Sequence, residues 1–486
     1  MFSLVASLSR KLRRFSYYRV EDEDRGDHGE DDEYDLNAEK TSRIRRFLTK
    51  YRPLGSPLLV WILLFLFFQQ IEPIFQAFRC NFIAPPRTNE YRPYNILLVA
   101  DPQLIDNHTY PSYNPLVLSL SKFTVDNYIY KNYWRLVEHL NPDAVIFLGD
   151  LLDNGRESSD KYYEHELTRF NKIFQPERLR KDGVEVFMNI PGNHDIGFGD
   201  GVIKHSVDRF KRDFGLPNQS FLREKHELVF LDTISLSNKK DASIGAEARS
   251  FMDELVAEEF PHHPRIMFDH VPVYRDSSKQ TCGKEREMGT FIKPVAGYQY
   301  QNLIDPELSK TVLEKVQPQI IFSGDDHDYC EVIHEYDAKD ENGNQVKKTA
   351  IEINVKSISM AMGIRKPAVE LLSLYNKAVP GRVLEVNGKP IADIPYPFSY
   401  KMCYLPLPYT DIVFYAIFAF FNFLYLVYTC VPRSKYSGFA IDEVYTEPKL
   451  LDRIRGLKVK FLAELCFVEC LALWAIYCWV FTIHYY

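Results

Sequence analysis

Cysteine is scarce in this chain, with eight residues in 486, and none stands at a ligand position of the motifs described below. A thiolate-bound metal centre is therefore excluded at those motifs, because soft metal sites are built on Cys sulfur. An excess of positive charge is also missing. Lys and Arg number 59 against 66 Asp and Glu, for a net charge of −7, so no nucleic-acid partner is expected. No internal repeat is visible, which argues against a stacked-repeat architecture. Apolar residues make up 46% of the chain, yet unbroken apolar runs long enough for a membrane occur at only three places. The length allows one large domain plus attachments.

What is present is a series of five clusters rich in carboxylates, amides and imidazoles. They are Asp101-Pro102-Gln103, Gly149-Asp150-Leu151-Leu152-Asp153, Gly192-Asn193-His194-Asp195, Asp269-His270-Val271-Pro272 and Gly324-Asp325-Asp326-His327. Each follows a short apolar run: Asn95 to Ala100, Ala144 to Leu148, Val184 to Ile190, Arg265 to Phe268 and Gln319 to Phe322. Runs of that length bounded by Gly, Pro and Asp read as buried strands. Oxygen and nitrogen donors gathered beyond the ends of such strands are how an α/β scaffold builds a metal site. Taken singly, Asp101 or Asp150 reads as a helix N-cap, and Asn193 reads as a turn residue. Five clusters in order are not accounted for by independent caps and turns.

This set, in this order, resembles the calcineurin-like metallophosphoesterases over roughly Asn95 to Val355. The resemblance implies an α/β/β/α sandwich and a dinuclear-metal phosphoric diester hydrolase. It assigns Asp101, Gln103, Asp150 and His327 to one divalent metal, and Asp150, Asn193, His270 and Asp325 to the other, with Asp150 bridging. It gives His194 no metal; that residue stabilises the transition state or protonates the leaving oxygen, held in orientation by Asp153. Two positions depart from the usual family pattern. Gln103 stands where a His is usual, and Asp325 stands at the first His of a Gly-His-x-His motif. Both keep a donor oxygen, and the oxygen-rich set favours Mn²⁺ over Zn²⁺. Whether Gln103 binds directly or through water, and whether Asp325 or Asp326 faces the ion, stays open in the sequence. The remaining histidines lack a motif and read as surface or structural residues.

The apolar runs divide the chain further. Residues 1–52 read as a cytosolic disordered tail, with Glu21-Asp22-Glu23-Asp24 and Glu30-Asp31-Asp32-Glu33 as its acidic runs. Spans are expected at 53–78, 410–431 and 461–483, around a metallophosphoesterase domain at 90–405 and a cytosolic loop at 432–460. Arg43, Arg45, Arg46, Lys50 and Arg52 precede the first span. Arg433, Lys435, Lys449, Arg453, Arg455, Lys458 and Lys460 lie between the second and third. Basic residues mark the cytosolic side, so three crossings leave the domain lumenal. The sequons at Asn107 and Asn218 both fall in it. An oxidising lumen permits a Cys282–Cys330 bridge or, instead, one between Cys80 and Cys403; Cys430, Cys466, Cys470 and Cys478 read as packing residues within the spans.

The stretches Ala100 to Gln103, Gly149 to Arg156 and Ser323 to Cys330 are similar to one branch of the family, the fungal cell-division-control type. That branch removes ethanolamine phosphate from mannose of GPI anchors in the early secretory pathway. The resemblance implies a Mn²⁺-dependent diesterase acting on a GPI glycolipid or GPI-anchored proteins, with a lean to the first mannose, in the endoplasmic reticulum or Golgi membrane. The insert from Arg275 to Asp305 carries Lys279, Lys284, Arg286, Lys293, Phe291, Tyr298 and Tyr300. It reads either as a cover over a glycan phosphate or as a solvated loop. Rival readings are a lumenal phosphomonoesterase or protein phosphatase, and a non-catalytic scaffold or cargo receptor; retention of the non-ligand His194 argues against the last.

Overall fold

The computed structural model describes residues 31–83, 92–257, 263–297, 299–339, 343–376, 385–387, 389–390, 397–431 and 456–485. Its domain strands are β1 (Tyr94–Val99), β2 (Ala144–Phe147), β3 (Glu185–Phe187), β4 (Gln219–Arg223), β5 (His226–Phe230) and β6 (Arg265–Phe268). They continue with β7 (Ile320–Ser323), β8 (Cys330–Lys339), β9 (Gln345–Asn354), β10 (Ala368–Leu374) and β11 (Phe398–Tyr404). One sheet has the order β11-β10-β1-β2-β3 and the other β8-β9-β7-β6-β5-β4. β1, β2 and β3 run parallel, as do β5, β6, β7 and β9, while the outer strands pair antiparallel.

Alternation along the strands builds the layers. Ile96, Leu98, Ile146, Phe230, Phe268, Phe322, Ile353 and Leu372 pack between the two sheets. The alternate residues Leu97, Val99, Val145 and Phe147 belong to a second cluster with residues of helices α1 (Pro115–Leu140) and α2 (Asp160–Phe174). Phe147 packs edge-on against Phe174, with ring centroids 5.0 Å apart. On the other sheet Val229, Met267 and Ile321 join Met252, Leu255, Val312 and Val316 of α4 (Ala246–Ala257) and α5 (Pro306–Val316); helix α3 runs Lys204–Phe214. The result is the α/β/β/α sandwich. It extends past Val355, because β10 and β11 complete the first sheet. The five strands read from the sequence divide between the sheets, three in one and two in the other, so the donors gather at the facing edges of both.

Among the described residues, three helices are long and apolar enough to cross a membrane: Arg52–Phe78, Thr410–Cys430 and Val459–Trp479. The chain forms two compact units. One comprises Met1–Val60 and Asn422–Ala472. In it Leu54, Leu426, Cys430, Leu462 and Leu465 cluster, Lys50 and Tyr51 both bond Glu464, and the Asn422 amide donates to Glu469 at 2.6 Å. The expectation of a disordered tail is corrected over its second half, where a helix runs Asp31–Lys50; the acidic run at 21–24 and the basic residues at 433–455 lie outside the described residues. The other unit comprises Trp61–Phe421 and Leu473–Tyr486. It joins the sandwich to the ends of all three apolar helices, with Trp61 packed edge-on against Phe418 at 4.9 Å.

Candidate metal centre

The donors stand on turns that few residues adopt willingly. Of the seven candidate ligands, five have left-handed backbone: Asp101 (φ 46°), Gln103 (32°), Asp150 (49°), Asp325 (67°) and His327 (64°). Each such non-glycine residue costs roughly 1–3 kcal/mol and persists only where its surroundings enforce it. Here the Gln103 N–H donates to the Asp150 carbonyl at 2.8 Å. Ser357 donates twice, from Oγ to the Asp101 carbonyl at 2.7 Å and from N to the His327 carbonyl at 3.0 Å. The helix-cap reading of Asp101 and Asp150 fails, since α1 and α2 are capped by Asn114 and Ser159 instead.

Two glycines allow the loops to meet. A β-carbon on Gly149 (φ 87°) would lie 2.4 Å from His270 Nδ1, and one on Gly192 would lie 2.0 Å from Asp150 Oδ1. Asp195, left without a role by the motif pattern, ties these loops together. Its carboxylate accepts from Leu151 N at 3.1 Å, Leu152 N at 3.0 Å and Gly192 N at 2.9 Å. A carboxylate three residues after a glycine in a strand-to-helix turn is the one signal that would have marked it, as the N3 partner of a cap.

Asp101, Asp150 and His270 each bring a donor atom within 4.8 Å of the others. His270 Nε2 lies 3.4 Å from Asp150 Oδ1, 3.4 Å from Asn193 Oδ1 and 3.7 Å from Asp325 Oδ1. The Asp325 N–H donates to Asp101 Oδ1 at 3.0 Å. Asp326 turns away into an ion pair with Arg286, so it is Asp325 that faces the site. Gln103 Nε2 lies 3.2 Å from Asp153 Oδ1 and 3.0 Å from His194 Nε2, which leaves the amide oxygen without a hydrogen-bond partner among the described residues. His194 receives a fixed backbone through its N–H bond to Asp150 Oδ1 at 2.9 Å. Its Nδ1 lies 2.5 Å from the backbone carbonyl of Asp153 and 3.5 Å from that residue's carboxylate. The carbonyl is thus the nearer orienting group, where the sequence pointed to the carboxylate. His194 keeps 24% of its side chain exposed while the surrounding donors are covered, so it borders the open side.

The electrostatics are those of a cation site. Desolvation opposes charge on His270, but Asp150, Asp101 and Asp325 outweigh it and hold its pKa well above the usual value. Desolvation also works against ionised Asp150, yet His270 and His194 hold its pKa below the ordinary range. Desolvation raises Asp101 well above its ordinary value and Asp325 to about 7. His327 is pushed down to about 4 by desolvation, against the pull of Asp150, which keeps a lone pair available for a metal. Asp101 Oδ2 and Gln103 Oε1 are buried without a hydrogen-bond partner among the described residues. Buried acceptors left orphaned are costly in protein alone and fit a divalent cation with oxygen and imidazole ligands.

The insert after His270 is neither free nor solvated throughout. Cys282 and Cys330 are bridged, as are Cys80 and Cys403, so the two pairings coexist. Cys282, Ile292, Leu303, Cys330 and Val332 form a small core, and Arg286 is taken up by Asp326. Lys356, fully buried, pairs with Asp328 at 2.8 Å and Glu287 at 2.7 Å. Lys279 and Lys293 remain exposed, and Tyr298 lies outside the described residues.

The calcineurin-like phosphoesterase family matches residues 94–329. The chain is 40% identical over 360 residues to Cell division control protein 1 of Saccharomyces cerevisiae, spanning 73% of this chain and 70% of that protein. It is 27% identical over 214 residues to Metallophosphoesterase 1 of Rattus norvegicus, spanning 40% and 52%. Among solved structures, a dimetal phosphatase from Danio rerio aligns with 63% of this chain at 12% identity and a TM-score of 0.37. With the donor motifs gathered at one place and an extended match to a curated relative, the chain belongs to the calcineurin-like phosphoesterases.

Proposed function

We propose that this protein is a Mn²⁺-dependent phosphodiesterase that removes ethanolamine phosphate from a mannose of GPI anchors, the first mannose by preference. The observation that carries the reading is one of placement. An oxygen-rich donor set around Asp150, open on the His194 side, shares a compact unit with the ends of three helices fit to cross a membrane. A substrate held in the membrane suits that arrangement, because confinement to a surface raises its effective concentration.

Asp101, Gln103, Asp150 and His327 would hold one divalent ion; Asp150, Asn193, His270 and Asp325 would hold the other. When bound, such a pair acidifies the attacking water and neutralises charge on the phosphoryl oxygens. The carboxylates Asp101, Asp150 and Asp325 would provide the negative charge that two cations need, and Asn193 would add a neutral oxygen. Desolvation lowers the pKa of His194, so its imidazole is neutral at rest and Nδ1–H donates to the Asp153 carbonyl. An anionic phosphoester placed against the ring raises its proton affinity, so Nε2 takes up a proton from solvent on the open side and passes it to the leaving sugar oxygen, returning the ring to its neutral form. The substrate's orientation falls to groups on the open side around His194.

We also place the domain in the lumen of the endoplasmic reticulum or Golgi. The basic residues around the first span support this orientation, with Arg43, Arg45 and Arg46 exposed. Endoglycosidase should shift the protein's mobility through Asn107 or Asn218, and protease accessibility of the domain from the cytosol would overturn the placement. The substrate is tested by analysing GPI glycans from cells lacking the protein. Retained ethanolamine phosphate on the first mannose is expected. Unchanged glycans, together with purified protein hydrolysing monoesters in preference to diesters, would sink the reading in favour of a phosphomonoesterase.

A further inference from the structure

The first half of α1 has an unusual surface for a domain helix. Tyr113, Leu116, Val117, Leu120 and Phe123 recur at the spacing of one helical face, and all are exposed, Leu116 by 79% and Leu120 by 63%. Across residues 107–125 only Lys122 carries a formal charge, and it is neutralised by buried Glu166 at 2.9 Å. Two hydroxyls on this stretch are satisfied from within: Ser121 donates to the Val117 carbonyl at 3.0 Å and Thr124 to the Leu120 carbonyl at 2.8 Å. That is how Ser and Thr are accommodated where water is absent.

The direction of the helix bears on what covers this face. His139 meets the Cys80 carbonyl at 3.1 Å, Arg135 meets Gln70 at 3.1 Å, and Lys131 meets the Phe68 carbonyl at 3.1 Å. Moving back along α1 therefore means moving back down the first apolar helix. Phe123 then packs against Tyr477, with ring centroids 5.7 Å apart, and Tyr477 lies inside the third membrane-crossing segment, Val459–Trp479. Leu120 and Leu116 lie beyond Phe123 in the same direction, about 5 and 10 Å further at 1.5 Å per residue.

We infer that Tyr113 and the first turns of α1, through Phe123, are seated in the lipid bilayer, as an extra membrane contact that belongs to the catalytic domain itself. The occupant of the apolar face is lipid, because the face continues the surface of the spans and holds no uncompensated charge. The consequence reaches the metal centre. The loop that leads from Gln103 into α1 carries Asp106, whose N–H lies 3.4 Å from an Asp153 carboxylate oxygen. A cavity of about 530 Å³ lined by Tyr110, Tyr113, Leu118, Phe123 and Arg169 is shared by that loop and the seated helix. The metal centre is thereby held at the level of lipid headgroups, whichever phosphoester it cleaves.

The test uses the full chain in lipid nanodiscs, with Cys430→Ala, Cys466→Ala, Cys470→Ala and Cys478→Ala leaving only the disulfides. Leu116→Cys and Leu120→Cys are labelled in turn with bimane, and Ser250→Cys on exposed α4 is the control. Bimane at 116 and 120 should be quenched several-fold more by acyl-chain nitroxide lipids than at 250, and should be sheltered from aqueous iodide. Iodide quenching equal to that at 250 would overturn the inference. So would shelter from both quenchers, which would assign the face to a protein. Because the readout is optical, it is independent of the substrate reading. A second measurement uses Leu116→Lys together with Leu120→Lys. Activity on a soluble diester should be unchanged, while turnover of a diester lipid in vesicles should fall several-fold; equal activity on both would count against the seat.

Discussion

The side-chain amide of Asn193 donates to the backbone carbonyl of Gln299 at 2.9 Å, and this fixes which way the amide points. With the nitrogen so engaged, Oδ1 is turned to His270 Nε2 at 3.4 Å, as a neutral oxygen ligand requires. Gln299 is itself pinned: its side-chain oxygen accepts from Phe198 N at 2.8 Å and its nitrogen donates to the Gly201 carbonyl at 3.1 Å. Gln299 is therefore a positioning residue, contributed by the insert after His270.

Gln299→Ala should lower turnover by about 10–100-fold, the usual effect of losing an outer partner of a metal ligand. Metal content at saturating Mn²⁺ should stay near wild type, read by elemental analysis beside diesterase kinetics. Unchanged kinetics would show that Asn193 needs no such support.

The sequence disclosed the donors more completely than it disclosed what holds them. Asp101, Asp150, Asn193 and His270 each follow a strand and sit in recognisable motifs, so their convergence could be read in advance. Gln299 and Ser357 act through hydrogen bonds that are remote in sequence, and no local pattern announces a backbone carbonyl as a partner. Asp195 was visible within its motif, yet its three N–H bonds depend on how two loops pack. The central strands stood out as apolar runs, whereas β10 and β11 come after the last motif and complete the sheet by antiparallel pairing across a long separation. The tail misled because acidic composition outweighed the helix-compatible pattern of Asp31–Lys50.

Asp150 and His194 should respond differently to truncation. Asp150→Ala removes a carboxylate placed 3.4 Å from His270 and bonded by the His194 N–H; loss of bound metal and of turnover is expected together. His194→Ala should keep its metal while the rate falls by roughly 10²–10⁴, the span for a lost acid or base. A His194→Ala protein that loses metal, or that works at full rate, would remove His194 from the proton-transfer role.

Arg286 and Asp326 form an ion pair with side chains 3% and 5% exposed. Arg286→Met leaves Asp326 buried and unpaired, which should destabilise the domain by about 3–5 kcal/mol. Replacing both partners, Arg286→Met with Asp326→Leu, should recover much of that loss, because burying two apolar groups strands no charge. Thermal melts of the two proteins give the comparison. A double variant as unstable as the single one would show that the pair does more than neutralise itself.

Metal binding should release protons, with a sign set by the upward shifts in the metal-free site. Asp325 is raised to about 7 by desolvation, so below that pH it carries a proton. His270 is held well above its ordinary value because Asp150 and its neighbours outweigh desolvation, so it is protonated at pH 7 as well. Both must give up protons to become ligands. Apparent Mn²⁺ affinity should therefore rise as pH increases through about 7 and weaken below it. Calorimetric titration in buffers of different ionisation enthalpy should show net proton release at pH 6.5, smaller at pH 8 once Asp325 is already ionised. Proton uptake, or affinity independent of pH from 6 to 8, would mean that these two residues do not bind the ion.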